Sequence, residues 1–176
     1  MTVSLDTLRA QPLTLIGPAT QALADGGSIG AWRRAMEQAI RRSQTAAYIA
    51  ATAERLGTSP KLIKGLSKAE RAELDKRIDA QLKYLDGFAR DLKAGRMSMA
   101  QAQARANLYA GPTRGTFYAT RYAGLPFYPT EGSECMANCK CHWEQKGDEF
   151  YWRMGAVEHC PTCETRAANN PYTVSA

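Results

Sequence analysis

The chain has 176 residues and a formal net charge of +6, with 44% hydrophobic and 23% charged residues. This length and composition fit one folded domain with a small appended module and exclude a wholly disordered chain. The longest apolar runs fall far short of the roughly 18 residues that a membrane span needs, and the first residues lack the basic and apolar segments of a signal peptide. We therefore expect a protein of the reducing cytosol with no membrane partner.

Basic charge is concentrated in the middle of the chain. Residues 61–130 hold 13 Lys or Arg and 6 Asp or Glu, whereas residues 131–176 hold 4 and 7. A basic centre can face nucleic acid or an acidic protein. The signs alternate at helical spacing, as in Glu73–Arg77 and Asp79–Lys83, and this favours solvated helix faces with internal ion pairs.

Residues 1–27 are predicted to form an extended arm. Pro12 and Pro18 interrupt the segment, and Asp25-Gly26-Gly27 is a helix breaker. Because the arm carries spaced apolar residues, it needs a groove in which to lie, either on this chain or on a partner.

Residues 28–128 are predicted to form an α-helical body. Ser28 is a typical N-cap, and the apolar residues that follow it at spacings of three and four predict a helix that ends before Gly57. Ser67 and Glu70 form a capping box, which is the strongest helix start in the chain.

An apolar stripe follows this capping box and predicts one continuous helix that ends at Gly95 and packs in the core, with the two longest helices side by side as a hairpin. A second capping box, Ser98 with Gln101, starts an alanine-rich helix to about Ala110, which Gly111-Pro112 ends. A further short helix is predicted over residues 113–123. The stripe consists of Leu74, Ile78, Leu82, Leu85, Phe88 and Leu92.

Residues 129–176 differ from the helical body, because they lack its helical periodicity and contain the cysteines of the chain. Two segments rich in aromatic residues, 142–145 and 149–153, flank Lys146-Gly147-Asp148, a pattern that predicts a β-hairpin. The sequence thus predicts a mainly α protein with an N-terminal arm, a helical hairpin or bundle and a small C-terminal β-hairpin module.

All five cysteines lie between residues 135 and 163, and the two histidines of the chain, His142 and His159, are each adjacent to one of them. The C-x-x-C spacing at Cys160 and Cys163 lets two thiolates bind one metal ion from the same tight turn. The upstream cysteines can supply the other ligands once the hairpin brings the two groups together. This is the layout of a small zinc ribbon with a structural Zn²⁺. The candidate ligands are Cys135, Cys139, Cys141, Cys160 and Cys163.

The choice of four ligands stays open. Cys160 and Cys163 are the firmest candidates, Cys139 and Cys141 can point the same way if the chain is extended there, and Cys135 can replace either. We expect both histidines to support the site or to pack beside it. Disulfides are a weaker alternative, because there is no export signal and one thiol would remain unpaired. A redox C-x-x-C would open a helix in a βαβ setting, which the sequence does not predict.

No catalytic constellation stands out in the sequence. It has no glycine-rich phosphate loop, no H-E-x-x-H and no G-x-S-x-G. Because both histidines sit among the cysteines, little remains elsewhere for general-base catalysis. We therefore expect a protein that is not an enzyme. The aromatic residues of the hairpin are expected to cover a module too small to form a core of its own.

The segments 138–143 (N-C-K-C-H-W) and 158–163 (E-H-C-P-T-C) carry a family resemblance. They resemble the cysteine-bearing C-terminal region of head-morphogenesis or minor-capsid proteins of tailed bacteriophages. Lys140 stands where that family usually has arginine, and the two elements come in the opposite order to its better-known members. The resemblance implies a virion structural protein, present in the host cytoplasm during assembly, that contacts portal and major capsid proteins and associates in many copies.

Two other functions remain as hypotheses. A nucleic-acid-binding zinc-ribbon protein would use the Arg and Lys residues of segment 61–121 and would bind duplex DNA with a steep salt dependence. A metal-dependent nuclease would need a ligand position open to water, and changes at His142 or His159 would abolish its cleavage.

Overall fold

The structure is a computed structural model and describes residues 5–110, 112–129, 140–156 and 158–174. The chain divides into two compact units, residues 1–117 and residues 118–176. The described part of the first unit is helical, and the second unit contains a three-stranded antiparallel sheet. The prediction of a mainly helical protein with a small C-terminal hairpin module is therefore confirmed at this level.

The predicted extended arm is wrong, because residues 5–24 form a helix, α1 (Leu5–Ala24), with both Pro12 and Pro18 inside it. Each proline removes one backbone hydrogen bond and disfavours the helix. Burial offsets this cost, since the side chains that recur every three or four residues along α1 are enclosed in the first unit. They are Leu8, Pro12, Ile16, Thr20 and Leu23.

The second helix, α2 (Ile29–Arg55), confirms the predicted start and end. The Ser28 hydroxyl accepts a hydrogen bond from the Ala31 N–H at 3.0 Å. Gly57, which follows the helix, has a φ of 61°, a conformation that glycine adopts at little cost. Of the neighbouring helices, α1 makes the most extensive contact with α2.

The predicted continuous helix up to Gly95 is instead two helices, α3 (Lys68–Leu82) and α4 (Leu85–Lys93). The capping box at Ser67 and Glu70 is confirmed, with hydrogen bonds of 3.2 and 2.8 Å. All six residues of the apolar stripe are buried as predicted. The chain turns between the helices at residues 83–84, so that α4 packs against both α1 and α2.

Two shorter helices complete the first unit and lead into the second. Helix α5 (Met99–Asn107) starts at the predicted capping box of Ser98 and Gln101 and continues as a 3₁₀ turn, Leu108–Ala110. Helix α6 (Pro112–Arg121) runs across the boundary between the units, and the predicted breaker Gly111 lies outside the described residues.

The core of the first unit is mostly apolar, and it also contains buried polar side chains that form hydrogen bonds with one another. Trp32 and Phe88 meet edge to face at 5.2 Å. The Thr116 hydroxyl donates to Gln44, whose amide nitrogen donates to Gln81 at 3.2 Å, so α6, α2 and α3 are joined by hydrogen bonds. None of the described helices combines the length and the apolar character needed to cross a lipid bilayer.

The second unit contains the predicted hairpin, β1 (His142–Lys146) with β2 (Glu149–Arg153), in which Trp143 lies opposite Trp152. Two elements were not predicted: a helix, α7 (Pro161–Ala168), and a short strand, β3 (Tyr172–Thr173). β3 pairs antiparallel with β2, which gives the strand order β1-β2-β3.

Candidate metal centre

Three cysteines from two separate stretches share one buried cluster in the second unit. Cys141 lies just before β1 and is 2% exposed, whereas Cys160 and Cys163 lie at the start of α7 and are 9% and 0% exposed. The same cluster contains the aromatic side chains of Trp143, Phe150 and Trp152. The fold of this unit therefore brings the C-x-x-C pair and an upstream cysteine into one core.

The C-x-x-C pair opens a helix, contrary to the sequence expectation. Cys160 is the N-cap of α7, with φ −83° and ψ 154°, and Pro161 takes the first helical position. Proline suits that position because its fixed φ matches the helix and its missing N–H would be unpaired there anyway. The Cys163 N–H donates to the Cys160 carbonyl at 2.9 Å, which closes the turn.

A redox C-x-x-C pair opens a helix that follows a strand of a βαβ unit. The pair in this chain does open a helix, but α7 follows an antiparallel hairpin and not a strand of a βαβ unit. None of the three described cysteines forms a disulfide with another of them.

The two histidines lie in different environments. His159 contacts the cluster, with its Nδ1 at 3.9 Å from the Cys141 sulfur. His142 is exposed, because alternate residues of β1 face opposite sides and it follows Cys141 and precedes Trp143, both of which are buried. His159 therefore packs beside the cluster as expected, whereas His142 is exposed and a supporting role for it stays a prediction.

Stacked aromatic rings enclose the cluster, as the sequence predicted. The ring of Phe127 stacks on Trp143 at 5.0 Å and meets Trp152 edge-on at 5.3 Å. The Arg166 guanidinium lies 4.0 Å from the centre of the Phe127 ring. The Trp143 indole N–H donates to the Phe127 carbonyl at 3.1 Å. Because Trp143 and Trp152 are buried in this core, their faces are not available for stacking on nucleic-acid bases.

Asn170 connects the end of α7 to the hairpin and was not recognised in the sequence. Its Oδ1 accepts from the Trp152 N–H at 2.6 Å, and its Nδ2 donates to the Trp152 carbonyl at 3.0 Å. Tyr172 adds a further link, since its hydroxyl donates to the Arg166 carbonyl at 2.9 Å. A signal for Asn170 exists in the sequence, because Asn-Asn-Pro at residues 169–171 is typical of a turn.

Charged side chains of the hairpin pair with one another on its surface. Arg153 donates to Glu144 at 2.6 Å, and this hydrogen bond is the main reason that the pKa of Glu144 lies below its usual range. The Tyr151 hydroxyl donates to Glu149 at 2.7 Å, and that bond raises the pKa of Tyr151.

Two predicted ligands, Cys135 and Cys139, lie outside the described residues. Among the residues that the structure does describe, no group of three or more His, Cys, Asp or Glu side chains is arranged to hold a metal ion. Three of the five candidate ligands are among these described residues, so the predicted set as a whole stays a prediction.

The donor chemistry of the described residues nevertheless fits a structural metal. Cysteine thiolates are the preferred ligands of structural Zn²⁺, and a C-x-x-C pair on one turn is a common source of two of them. Cys160 and Cys163 are such a pair, and Cys141 shares their cluster. Cys160 and Cys163 would supply two ligands to the ion, and the candidates for the others are Cys135, Cys139 and Cys141.

No protein-family model, no characterised protein and no solved structure matches this chain. We therefore infer a function from the site and from the surfaces of the two units.

Proposed function

We propose that this protein is a structural component of a tailed-bacteriophage particle, that it acts through protein–protein contacts, and that Zn²⁺ bound by cysteine thiolates stabilises its C-terminal unit. The observation that carries the metal site is the shared burial of Cys141 with Cys160 and Cys163. The bacteriophage setting comes from the resemblance of segments 138–143 and 158–163 to minor-capsid proteins.

The size of the second core supports a metal. Among the residues that the structure describes in this unit of 59 (118–176), the buried cluster comprises six, of which three are cysteines. Units of this size seldom reach several kcal/mol of stability from hydrophobic burial alone, and bound metals are a common supplement. An ion at the cysteines would join the segment before β1 to the first turn of α7, which otherwise meet only through packing and hydrogen bonds.

As partners in the particle we propose portal and major capsid proteins and further copies of this chain. Exposed apolar side chains are present on both units, and such side chains are available for contacts with partners. They are Leu56, Leu62, Tyr84 and Leu108 on the first unit and Met154 and Val174 on the second. We propose the virion as the final location and the host cytoplasm as the site of assembly.

Metal quantification on the purified full chain tests the zinc site. We expect one Zn²⁺ per chain, and we expect a strong chelator to abolish the near-ultraviolet circular dichroism of Trp143 and Trp152 while most far-ultraviolet helix signal remains. A metal-free preparation whose spectra do not respond to the chelator would exclude the structural zinc.

Two matched variants identify the remaining ligand. Cys135→Ser and Cys139→Ser make the same chemical change four residues apart. We expect one of them to reduce zinc affinity strongly and the other to leave it unchanged. If both bind zinc as the native chain does, the upstream stretch supplies no ligand apart from Cys141.

The bacteriophage assignment has its own test. We expect the chain to co-purify with intact particles of a phage that encodes it, in a fixed ratio to the major capsid protein as measured by quantitative mass spectrometry. Its absence from purified particles would reject the virion role, and the zinc measurement would not be affected by that outcome.

A second candidate function is nucleic-acid binding, and the charge of the first unit favours it. Residues 1–117 hold 18 Lys or Arg and 10 Asp or Glu, a net +8, while residues 118–176 hold 5 and 7, a net −2. Several of the cations are committed to ion pairs, as Arg41 is to Glu37 and Asp75. Binding to duplex DNA that falls steeply with salt would favour this function over the first.

A further inference from the structure

We propose that copies of this chain associate head to tail, the basic loop at residues 55–68 of one copy binding the acidic end of the C-terminal sheet of the next. This inference rests on the proposed assembly function and specifies a contact that would carry it. The acidic end is defined here as Asp148, Glu149 and Val174.

The basic loop connects α2 to α3 and is positively charged throughout. Segment 55–69 contains four cations and no acidic residue. All four cations are exposed, and the three lysines form no ion pair with any residue that the structure describes. Their charges are therefore available to a partner. The four are Arg55, Lys61, Lys64 and Lys68.

Two exposed leucines lie among these cations. Leu56 is 62% exposed and Leu62 is 68% exposed. Single exposed leucines are ordinary on protein surfaces, but here both belong to one short charged loop. The phosphates of duplex DNA would attract the lysines, but two exposed leucines at this spacing are matched more readily by the apolar side chains of a protein surface, so the combination favours a protein partner.

The loop is held in a defined conformation. Residues Pro60–Leu62 form a 3₁₀ turn in which the Leu62 N–H donates to the Ser59 carbonyl at 2.9 Å. Leu66, further along, packs against the core of the first unit. Because the backbone around Leu62 is already ordered, a partner that binds it loses little conformational entropy.

The acidic end of the sheet has the complementary character. Asp148 lies in the hairpin turn and is exposed, without an ion pair to any described residue. Glu149 follows it, and Lys146, which lies opposite Glu149, pairs with a carboxylate of its own strand. Thr173 lies opposite Glu149 in the sheet, so Val174, which is 46% exposed, lies at this same end. Carboxylates and an exposed apolar side chain therefore occur together here, as cations and leucines do in the loop.

Two different surfaces that bind each other produce a heterologous contact. Each copy then has one free basic loop and one free acidic end, so association continues until a ring closes or an open array forms. Opposite charge at the two surfaces makes the contact sensitive to salt and speeds encounter between copies. Contacts of this kind build rings and open arrays with many copies.

Sedimentation velocity on the full chain tests the proposal. We expect species larger than a dimer whose abundance rises with protein concentration and falls at high salt. Lys61→Glu with Lys64→Glu, and separately Asp148→Lys with Glu149→Lys, are each expected to weaken association by about tenfold or more. A variant with Arg90→Glu and Lys93→Glu places the same charge change on exposed positions of α4 and is expected to associate as the native chain does.

Mixing the two charge-reversed variants gives the sharpest result. The acidic-end variant keeps its basic loop but reverses its acidic end, while the basic-loop variant does the opposite. The intact loop of the first can bind the intact end of the second, and no native pair of surfaces remains on that heterodimer to add a third copy. The reversed end of the first variant and the reversed loop of the second again carry opposite charges. We expect these two reversed surfaces to bind each other more weakly than the native pair, because the residues that flank them are unchanged. We expect a predominant heterodimer in a mixture of variants that are each monomeric.

Three results would overturn the proposal. They are a native chain that stays monomeric at every concentration in low salt, equal weakening by the α4 control, and no heterodimer in the mixture. A monomeric native chain whose loop lysines are needed to bind duplex DNA or anionic vesicles would assign the loop to those partners instead. Zinc content measured on the same samples keeps the metal site and the head-to-tail contact separately testable.

Discussion

The two units of this protein bury their apolar residues in different ways. Of the described residues, fifteen from five helices form the buried core of the first unit, including Trp32, Met36 and Phe88. Six described residues form the buried cluster of the second unit, and three of them are cysteines. A helical core of the first kind can support itself by burial. The comparison therefore suggests that the second unit depends on additional bonds at its cysteines.

Loss of the metal ligand is the largest effect expected from this comparison. We expect Cys163→Ser to abolish zinc binding and the tertiary structure of the second unit, because the binding free energy of small zinc modules is about 10–16 kcal/mol and appears as folding free energy. Zinc content and the near-ultraviolet circular dichroism of the tryptophans measure it.

The matched control changes one of the two residues between the cysteines. Thr162→Ser keeps both thiols and is expected to retain the metal and the spectrum. A Cys163→Ser chain that binds zinc as tightly as the native one would contradict the proposed site.

We expect the first unit to lose stability when a buried side chain is truncated and to be unaffected by a chelator. Phe88→Ala removes a fully buried ring that meets Trp32 at 5.2 Å, and such truncations cost about 3–5 kcal/mol. Thermal unfolding followed by far-ultraviolet circular dichroism measures the loss. Tyr84→Ala truncates an exposed aromatic side chain nearby and is expected to cost far less. Equal effects of the two changes would be inconsistent with the described core.

Asn170 tests how much of the second unit is held by hydrogen bonds. Asn170→Ala removes both bonds to the Trp152 backbone, and we expect a loss of about 2 kcal/mol in the stability of that unit. We expect this variant to lose half of its tryptophan circular dichroism signal at a lower chelator concentration than the native chain does. Thr173→Ala changes an exposed residue of the neighbouring strand and serves as the control. An unchanged midpoint in Asn170→Ala would show that this clamp contributes little.

The smallest expected effect is a pH dependence in the first unit. Hydrogen bonds from the Ser67 backbone, from Tyr48 and from the Ser67 hydroxyl lower the pKa of Glu70. A carboxyl whose pKa is lowered on folding stabilises the protein fully above its unfolded pKa, near 4.5, and loses that contribution as the pH falls toward the folded value.

Glu70→Gln keeps the shape of this side chain and removes its titration. We expect the variant to lose less stability than the native chain between neutral pH and pH values below about 4, as measured by urea unfolding. If the free energy of unfolding of the two chains changed equally with pH over that range, the role of Glu70 would be contradicted.

Local chemistry made part of this fold predictable from the sequence. Ser28, Ser67 and Ser98 each begin a helix because a hydroxyl three residues before an N–H can accept from it, and this requires no distant residue. The hairpin around Gly147 was predicted for the same reason, since the turn and the alternation of Trp143 and its neighbours are local.

The structure differs from the sequence predictions where distant residues decide the conformation. Pro12 and Pro18 argue against a helix locally, and only the burial of side chains such as Ile16 stabilises α1. The turn at residues 83–84 has no breaker residue, and it follows from the packing of α4 on α1. The difference between His142 and His159 likewise depends on which face of β1 is buried.

The sequence by itself determined the helix caps, the apolar stripe, the hairpin and the clustering of five cysteines along the chain, because each is a pattern of neighbours. Only the tertiary structure decided that the N-terminal segment is helical, that Cys160 begins α7, and that Cys141 shares a core with Cys160 and Cys163. The physical reason is that burial free energy depends on which distant surfaces meet, and that free energy can exceed a local preference of a few kcal/mol.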